Sequence, residues 1–322
     1  MRENRSRNGL PWLAAAFAIA VFAPAPALAQ AWLPPKGEAS FSEGGQYLNA
    51  RYHLLWDGRR DDRGVMEWYH AISDLSYGVT DRIAVRVGIP YVVSRYTGAF
   101  PHRPVGRPVH DDGAWHGTFQ DVTFEARFMA TTGALAITPF LAAGVPAAHY
   151  EQLSHAAAGR HLREYTAGVN LGQRLDPILP DSYAHARLSF TMPERVLGIW
   201  HNRNNADVEL GHFVGPAVGI RVLGGWQWTH GGLRIPIDAP AGSPAAGVHD
   251  QLAKDSHFVL GAGVTFAASG SLDLSATAMK AISGENSLLL RGVSFGATWS
   301  FSPARLIRGG KGSAPRVRPA LP

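Results

Sequence analysis

The stretch Val293-Ser294-Phe295-Gly296-Ala297-Thr298-Trp299-Ser300-Phe301 alternates large apolar residues with small or polar ones without a break. A period of two marks an extended strand, because successive side chains leave it on opposite faces. Here one face is apolar and the other small and polar. Upstream, Phe258, Leu260, Ala262, Val264 and Phe266 interleave with Val259, Gly261, Gly263 and Thr265 in the same way. Ser269-Gly270 then turns the chain into Leu272, Leu274, Ala276 and Ala278. The two runs form a hairpin whose strands reach the roughly 9–11 residues that a tilted strand needs to cross a bilayer.

Working outward, the same period predicts strands over 38–49, 67–79, 82–96, 119–131, 134–146, 162–174, 182–192, 204–213, 217–230, 255–267, 271–282 and 288–301. The connections have two lengths. Thr80-Asp81, Thr132-Gly133, Asp176 to Asp181, Gly215-Pro216 and Ser269-Gly270 are short, whereas 97–116, 147–160 and 231–249 are long and polar. Short turns alternating with long loops, over an even number of strands, is the topology of an outer-membrane barrel with both chain ends on the periplasmic side. A soluble β-sandwich also alternates, but its apolar faces must meet in one core and it does not need so many long strands. The expected fold is all-β: a transmembrane antiparallel up-and-down β-barrel of about 12 strands. Tyr77, Phe266 and Phe301 at one end, with Tyr91, Trp226 and Trp228 at the other, are candidates for its aromatic girdles.

The ends read differently. Arg2, Arg5 and Arg7 precede an apolar run from Leu10 to Val21 that closes at Ala27-Leu28-Ala29, the pattern of a cleaved secretory signal peptide. Three segments follow: a signal peptide over 1–29, an outer-membrane barrel over 30–303 and a basic periplasmic tail over 304–322. The tail carries Arg305, Arg308, Lys311, Arg316 and Arg318 with no acid, so the net charge of +5 resides in the two ends. The barrel itself is slightly acidic, which removes any reason to invoke nucleic acid. With no cysteine there is no disulfide or thiolate centre, and no sequence feature implies a cofactor.

Charges at alternate positions of membrane-length strands must face the lumen, because an Arg on the lipid face at mid-depth costs about 2–4 kcal/mol. The lumen candidates are Asp74, Arg86, Asp121, Glu125, Arg127, His185, Arg187, Asp207, Glu209, Arg221 and Asp273. Turns centred on Thr80 and Gly215 place Asp74 opposite Arg86 and Glu209 opposite Arg221, favourable cross-strand pairs. Two readings stay open: a charged constriction that selects solutes, and an ion-pair network that fills the tube. Twelve strands make a narrow lumen, and loop 97–116 is long enough to fold into it.

His102, His110, His116, His149, His155, His161, His201, His230 and His249 fall in or beside the outer loops, but no tight His-x3-His spacing supports a metal site, so none is assigned. An outer-membrane lipid-modifying enzyme needs a serine nucleophile with an adjacent histidine base. The chain has neither His-x-Ser-Asn-Gly nor Gly-x-Ser-x-Gly, and His185 and Ser189 merely share a lumenal strand face. No catalytic residue is assigned.

Four motifs carry a resemblance: Trp32-x-Pro34-Pro35-Lys36-Gly37-Glu38, Tyr77-Gly-Val-Thr-Asp81-Arg82, Val87-Gly-Ile-Pro90-Tyr91, and Gly117-Thr-Phe-Gln-Asp121-Val. Through them, over roughly 31 to 302, the chain resembles the "MetA-pathway of phenol degradation" family of outer-membrane barrels. That resemblance implies passive uptake of small, aromatic or hydrophobic molecules. A basic tail after the last strand departs from the usual C-terminal aromatic. The expected partners are small solutes, outer-membrane lipid and the barrel-assembly machinery. A plugged barrel without conductance, structural or ligand-binding, is the alternative.

Overall fold

The computed structural model describes residues 31–104, 106–236 and 243–304. The leader predicted over 1–29, and all of the predicted tail except Ala304, lie outside the described residues. Twelve antiparallel strands close into a barrel: β1 (Ala39–Leu54), β2 (Arg60–Thr80), β3 (Ile83–Thr97), β4 (Asp121–Phe128), β5 (Leu135–Pro146), β6 (Glu164–Arg174), β7 (Ser182–Pro193), β8 (His201–Phe213), β9 (Val218–Gly231), β10 (Ser256–Ala267), β11 (Leu272–Glu285) and β12 (Arg291–Phe301). Each pairs with its neighbour in sequence, and β1 closes the ring on β12 with Ala39 opposite Phe301. Full closure leaves the backbone polar groups of these strands paired, as a strand in lipid requires.

The alternation sorts as expected. Along β12, Val293, Phe295 and Trp299 are exposed on the outer face while Ser294 is buried inside. On β10, Leu260, Val264 and Phe266 point outward, and the girdle candidates Tyr77, Tyr91, Trp226 and Trp228 are also exposed. A protein surface this rich in exposed large apolar side chains is adapted to lipid.

Three elements differ from the predicted ones. β2 begins seven residues earlier, at Arg60, and β1 runs on to Leu54. The extra residues include Asp61, Asp62 and Arg63, which have no apolar alternation because the ribbon has left the barrel wall. Backbone pairing and the exposed Arg51–Asp62 pair (2.8 Å) continue it into solvent. The predicted strand 119–131 is broken at Gln120 into His116–Phe119 and β4, and only Thr131–Thr132 resumes pairing. Gln120 keeps backbone hydrogen bonds to Pro90 (3.0 Å) and Ala147 (3.2 Å) across the break, while its side chain donates to the carbonyl of Ala158 (2.6 Å) in a long loop.

Both mouths of the barrel contain chain. At the long-loop end, loop 147–163 packs against the inward side chains of β1–β3, burying Tyr150, Ala156 and Ala158 with Ala50, Met66, Trp68, Val92 and Tyr96. The Trp68 indole donates to the carbonyl of Ala157 (3.0 Å). Loop 97–116 also reaches inward side chains of β3, His110 lying 3.3 Å from the Ser94 hydroxyl, and it braces loop 147–163: Asp111 accepts from the Ser154 hydroxyl (2.6 Å) and from the backbone N–H of His155. At the short-turn end, residues 31–38 enter the lumen. The Ala31 carbonyl accepts from the Thr138 hydroxyl (2.7 Å), and Gly37 and Glu38 pair with Gly78 at 2.8 and 2.9 Å.

Candidate functional site

Between these two mouths, the inward faces of β2 to β11 carry charged and polar side chains that are almost wholly buried. Asp74 on β2 takes both Nε (2.8 Å) and Nη2 (2.7 Å) of Arg86 on one oxygen. The pair is diagonal rather than directly opposite as expected, since Asp74 faces Gly88 and Arg86 faces Ser76. The turn lies at Asp81-Arg82, and a register shift between Gly78 and Thr80 displaces the ladder. Gly88 is what admits the contact. A Cβ there would stand 2.6 Å from Asp74 Oδ1 and from Thr123 Oγ1, so any larger residue would require these two side chains to shift.

On β4, Glu125 accepts from Arg187 Nη2 of β7 (2.6 Å) and lies 3.3 Å from Arg127 Nε, too poorly aligned for a hydrogen bond. Arg127 reaches back to Ser76 (3.2 Å), Arg187 reaches Asn170 (3.2 Å), and the Arg187 guanidinium lies 3.6 Å from the centroid of the Phe140 ring. Asp207 stands directly opposite Arg187. This first network links five strands, β2, β3, β4, β6 and β7.

A second network begins one residue pair away, where His185 faces Glu209. Glu209 accepts from the Tyr183 hydroxyl (2.6 Å) and pairs with Arg221 (3.4 Å), which donates to Thr277 (2.8 Å). Glu209 and Arg221 are again diagonal, not opposite: Glu209 faces Leu223 because the β8–β9 turn centres near Pro216 rather than Gly215. Long side chains bridge such diagonal neighbours readily.

Two of the predicted residues stand outside these networks. Asp121 sits at the loop end, where it accepts the Tyr150 hydroxyl (2.5 Å) and tethers loop 147–163. Asp273 is exposed beside the short turn, opposite Ala267. Sequence reasoning missed Asn170, Tyr183, Thr277, Ser76 and Phe140. All five lie on the lumenal parity of their strands, but neutral residues give no charge signal. It also missed a cluster below the long-loop mouth, where Arg160 pairs with Asp255 and Arg203 with Glu164 around the buried His201.

Several buried polar atoms in the networks have no hydrogen-bond partner among the described residues: Asp74 Oδ2, His185 Nε2, Arg221 Nε, and the ion-paired but poorly aligned Glu125 Oε1 and Arg127 Nε. Buried donors and acceptors of this kind are rarely left unmatched, so they mark places where water or a polar solute binds. A hollow of about 740 Å3 adjoins the second network at Tyr183, Arg221 and Thr277 and borders the apolar band, walled by Leu210, Ile220, Val264 and Phe295.

In the loops, burial and the neighbouring Asp121 push the Tyr150 hydroxyl well above the ordinary phenol range, so it stays a donor at physiological pH. Burial pushes the Asp111 carboxyl up, but hydrogen bonds from the His102 side chain, Ser154 and the backbone outweigh it and hold the group at about 2. Tyr150→Phe is expected to loosen the cap without unfolding the barrel, at a cost of about 1–3 kcal/mol for the stranded Asp121 acceptor. Faster hydrogen exchange confined to 147–163 would register it; unchanged exchange there would contradict it.

No protein-family model matches the chain, and no curated protein sequence matches it significantly. Among solved structures, it is similar to the COG4313 outer membrane channel from Pseudomonas putida F1, with a TM-score of 0.66 and 11% identity over 86% of this chain and 100% of that one. The NanC porin (TM-score 0.47, 8% identity, 80% of this chain and 98% of that one) and the KdgM porin in complex with disordered oligogalacturonate (0.44, 6%, 82% and 99%) are more remote. At these identities the likeness is one of fold.

Proposed function

We propose that this barrel is an outer-membrane channel for small solutes, with its long loops outside the cell and its chain ends in the periplasm. The supporting observation is the buried, charged lining of the two lumenal networks, in which Asp74 Oδ2, His185 Nε2 and Arg221 Nε find no hydrogen-bond partner among the described residues. A tube serving only as a structural filler gains nothing from unmatched buried groups, which each cost about 1–3 kcal/mol. A channel uses them as exchangeable partners for what passes. The fold it shares with a solved outer membrane channel fits this reading. Uptake is passive, driven by the concentration gradient, and the barrel reaches the membrane through its leader and the assembly machinery.

The solute class follows from the motif resemblance: small aromatic or otherwise hydrophobic molecules with a polar group. The contact of Phe140 with the Arg187 guanidinium supports this reading, because the charged lining there accommodates an aromatic ring. Single-channel recording in planar bilayers, with liposome swelling over sugars, amino acids and phenolic compounds, tests the reading. Openings together with faster swelling in phenolic solutes are expected; a silent barrel would make it the plugged alternative. Arg86→Ala leaves Asp74 unpaired, so the reversal potential of the open channel should move toward cation selectivity. An unmoved potential in a conducting variant would remove Arg86 from the path.

A further inference from the structure

Three loops that are remote in sequence bring imidazoles and carboxylates together in the cap at the long-loop end. His102 and Asp111 come from one, His155 from the second, His249 and Asp250 from the third. His102 Nε2 lies 3.2 Å from His249 Nε2 and 3.6 Å from Asp250 Oδ2, and His249 Nε2 lies 3.1 Å from Asp250 Oδ1. Three ligand atoms on a tetrahedral ion, with bonds of about 2.0–2.1 Å, are separated by about 3.3 Å. The two imidazole nitrogens are separated by that distance, and Asp250 offers one carboxylate oxygen to each at a similar range.

The tautomers point the same way. His102 Nδ1 is 2.9 Å from Asp111 Oδ2, and His249 Nδ1 is 2.8 Å from the Ala246 carbonyl oxygen. Carbonyl and carboxylate oxygens only accept, so each ring must place its N–H on Nδ1. Both Nε2 atoms then present lone pairs to each other and to the Asp250 carboxylate. Three such groups at hydrogen-bond distance need a positive charge among them, either a second proton on His249 Nε2 facing Asp250 or a cation at their centre, and only the cation satisfies all three at once. An Asp111–His102 contact behind the ligating nitrogen is also the outer-shell arrangement that orients metal-binding imidazoles.

We infer that His102, His249 and Asp250 form a binding site for a divalent ion of the zinc class, which staples the loops of the cap together. Two imidazoles and one carboxylate suit such an ion better than calcium or magnesium, which prefer oxygen. A cavity of about 320 Å3 beside the three residues, bounded also by His53, Arg63 and Phe100, supplies room for a fourth ligand, water or a passing solute. The site does not depend on the barrel being a channel.

The test is zinc titration of the chelator-stripped full barrel in detergent against a chromophoric chelator, with limited proteolysis of the cap as a second readout. One zinc per barrel and slower cleavage of the loops are expected. His249→Gln and His102→Gln should each abolish that equivalent, and Asp111→Asn should weaken it about 10–100-fold. His116→Gln, in the tilted His110–His116 ring pair outside the site, should retain it. Heat-modified gel migration shows whether each variant keeps its barrel, and either histidine variant that does decides the question. No binding by the parent, which leaves a shared proton as the cation, overturns the site. So does one equivalent that survives both histidine substitutions.

Discussion

Glu125→Ala is expected to destabilise the barrel by about 3–5 kcal/mol, the usual cost of removing one partner from a buried ion pair. Glu125 is the only carboxylate bridging Arg127 and Arg187 among the described contacts, at 3.3 and 2.6 Å. Without it, two buried guanidiniums face each other across the lumen, and the cation–π contact of Arg187 with Phe140 cannot neutralise them. Denaturant unfolding in micelles, followed by tryptophan fluorescence, measures the loss, and a change below about 1 kcal/mol would mean the network is solvated rather than buried. Glu125→Gln should lose less, because its amide oxygen still accepts a hydrogen bond. Any residual conductance should become anion-selective, since the stranded charges are positive. Combining Glu125→Ala with Arg187→Met should recover part of the stability, because a buried pair replaced as a unit is far less costly than one broken.

Gly78→Val is expected to expel residues 31–38 from the lumen. A Cβ at Gly78 would lie 2.2 Å from the Pro35 carbonyl oxygen and 2.4 Å from that of Pro34, both rigid backbone atoms. The segment is held by two backbone hydrogen bonds to Gly78 itself, the Thr138–Ala31 bond, a bond from the Lys36 N–H to Asp81 (3.2 Å), and Trp32 packed over Gly172. Overpacking costs about 1–3 kcal/mol, comparable to what a short segment with so few anchors can resist. Because the chain has no cysteine, a single Leu33→Cys reports directly. Maleimide labelling should accelerate in the Gly78→Val background, and single-channel conductance should rise. Equal labelling rates would show that the segment shifts locally and stays inside.

Much of the barrel was legible along the chain because strand geometry is local. Val293 to Phe301 shows its two faces by alternation, and its neighbours in space are its neighbours in sequence, so hairpins read one by one add up to a closed sheet. What alternation could not show was the polar ribbon at Arg60–Gly64, where no apolar face remains, or the packing of loop 147–163 on the inward faces of β1–β3. Asp74 with Arg86, and Glu209 with Arg221, were paired from the turns, and the pairs exist. Their diagonal geometry was not legible, because one residue at a turn shifts a whole ladder.

The sequence by itself determined the twelve strands, which faces meet lipid, and which charges point inward, since period-two patterning and the cost of a charge in lipid act residue by residue. The tertiary structure alone decided how those charges join. Glu125 meets Arg187 across 62 residues, Ala31 meets Thr138 across 107, and His102 meets His249 across 147. Such contacts depend on where closure of the ring and the inward fold of the loops carry each side chain, and no local pattern encodes that.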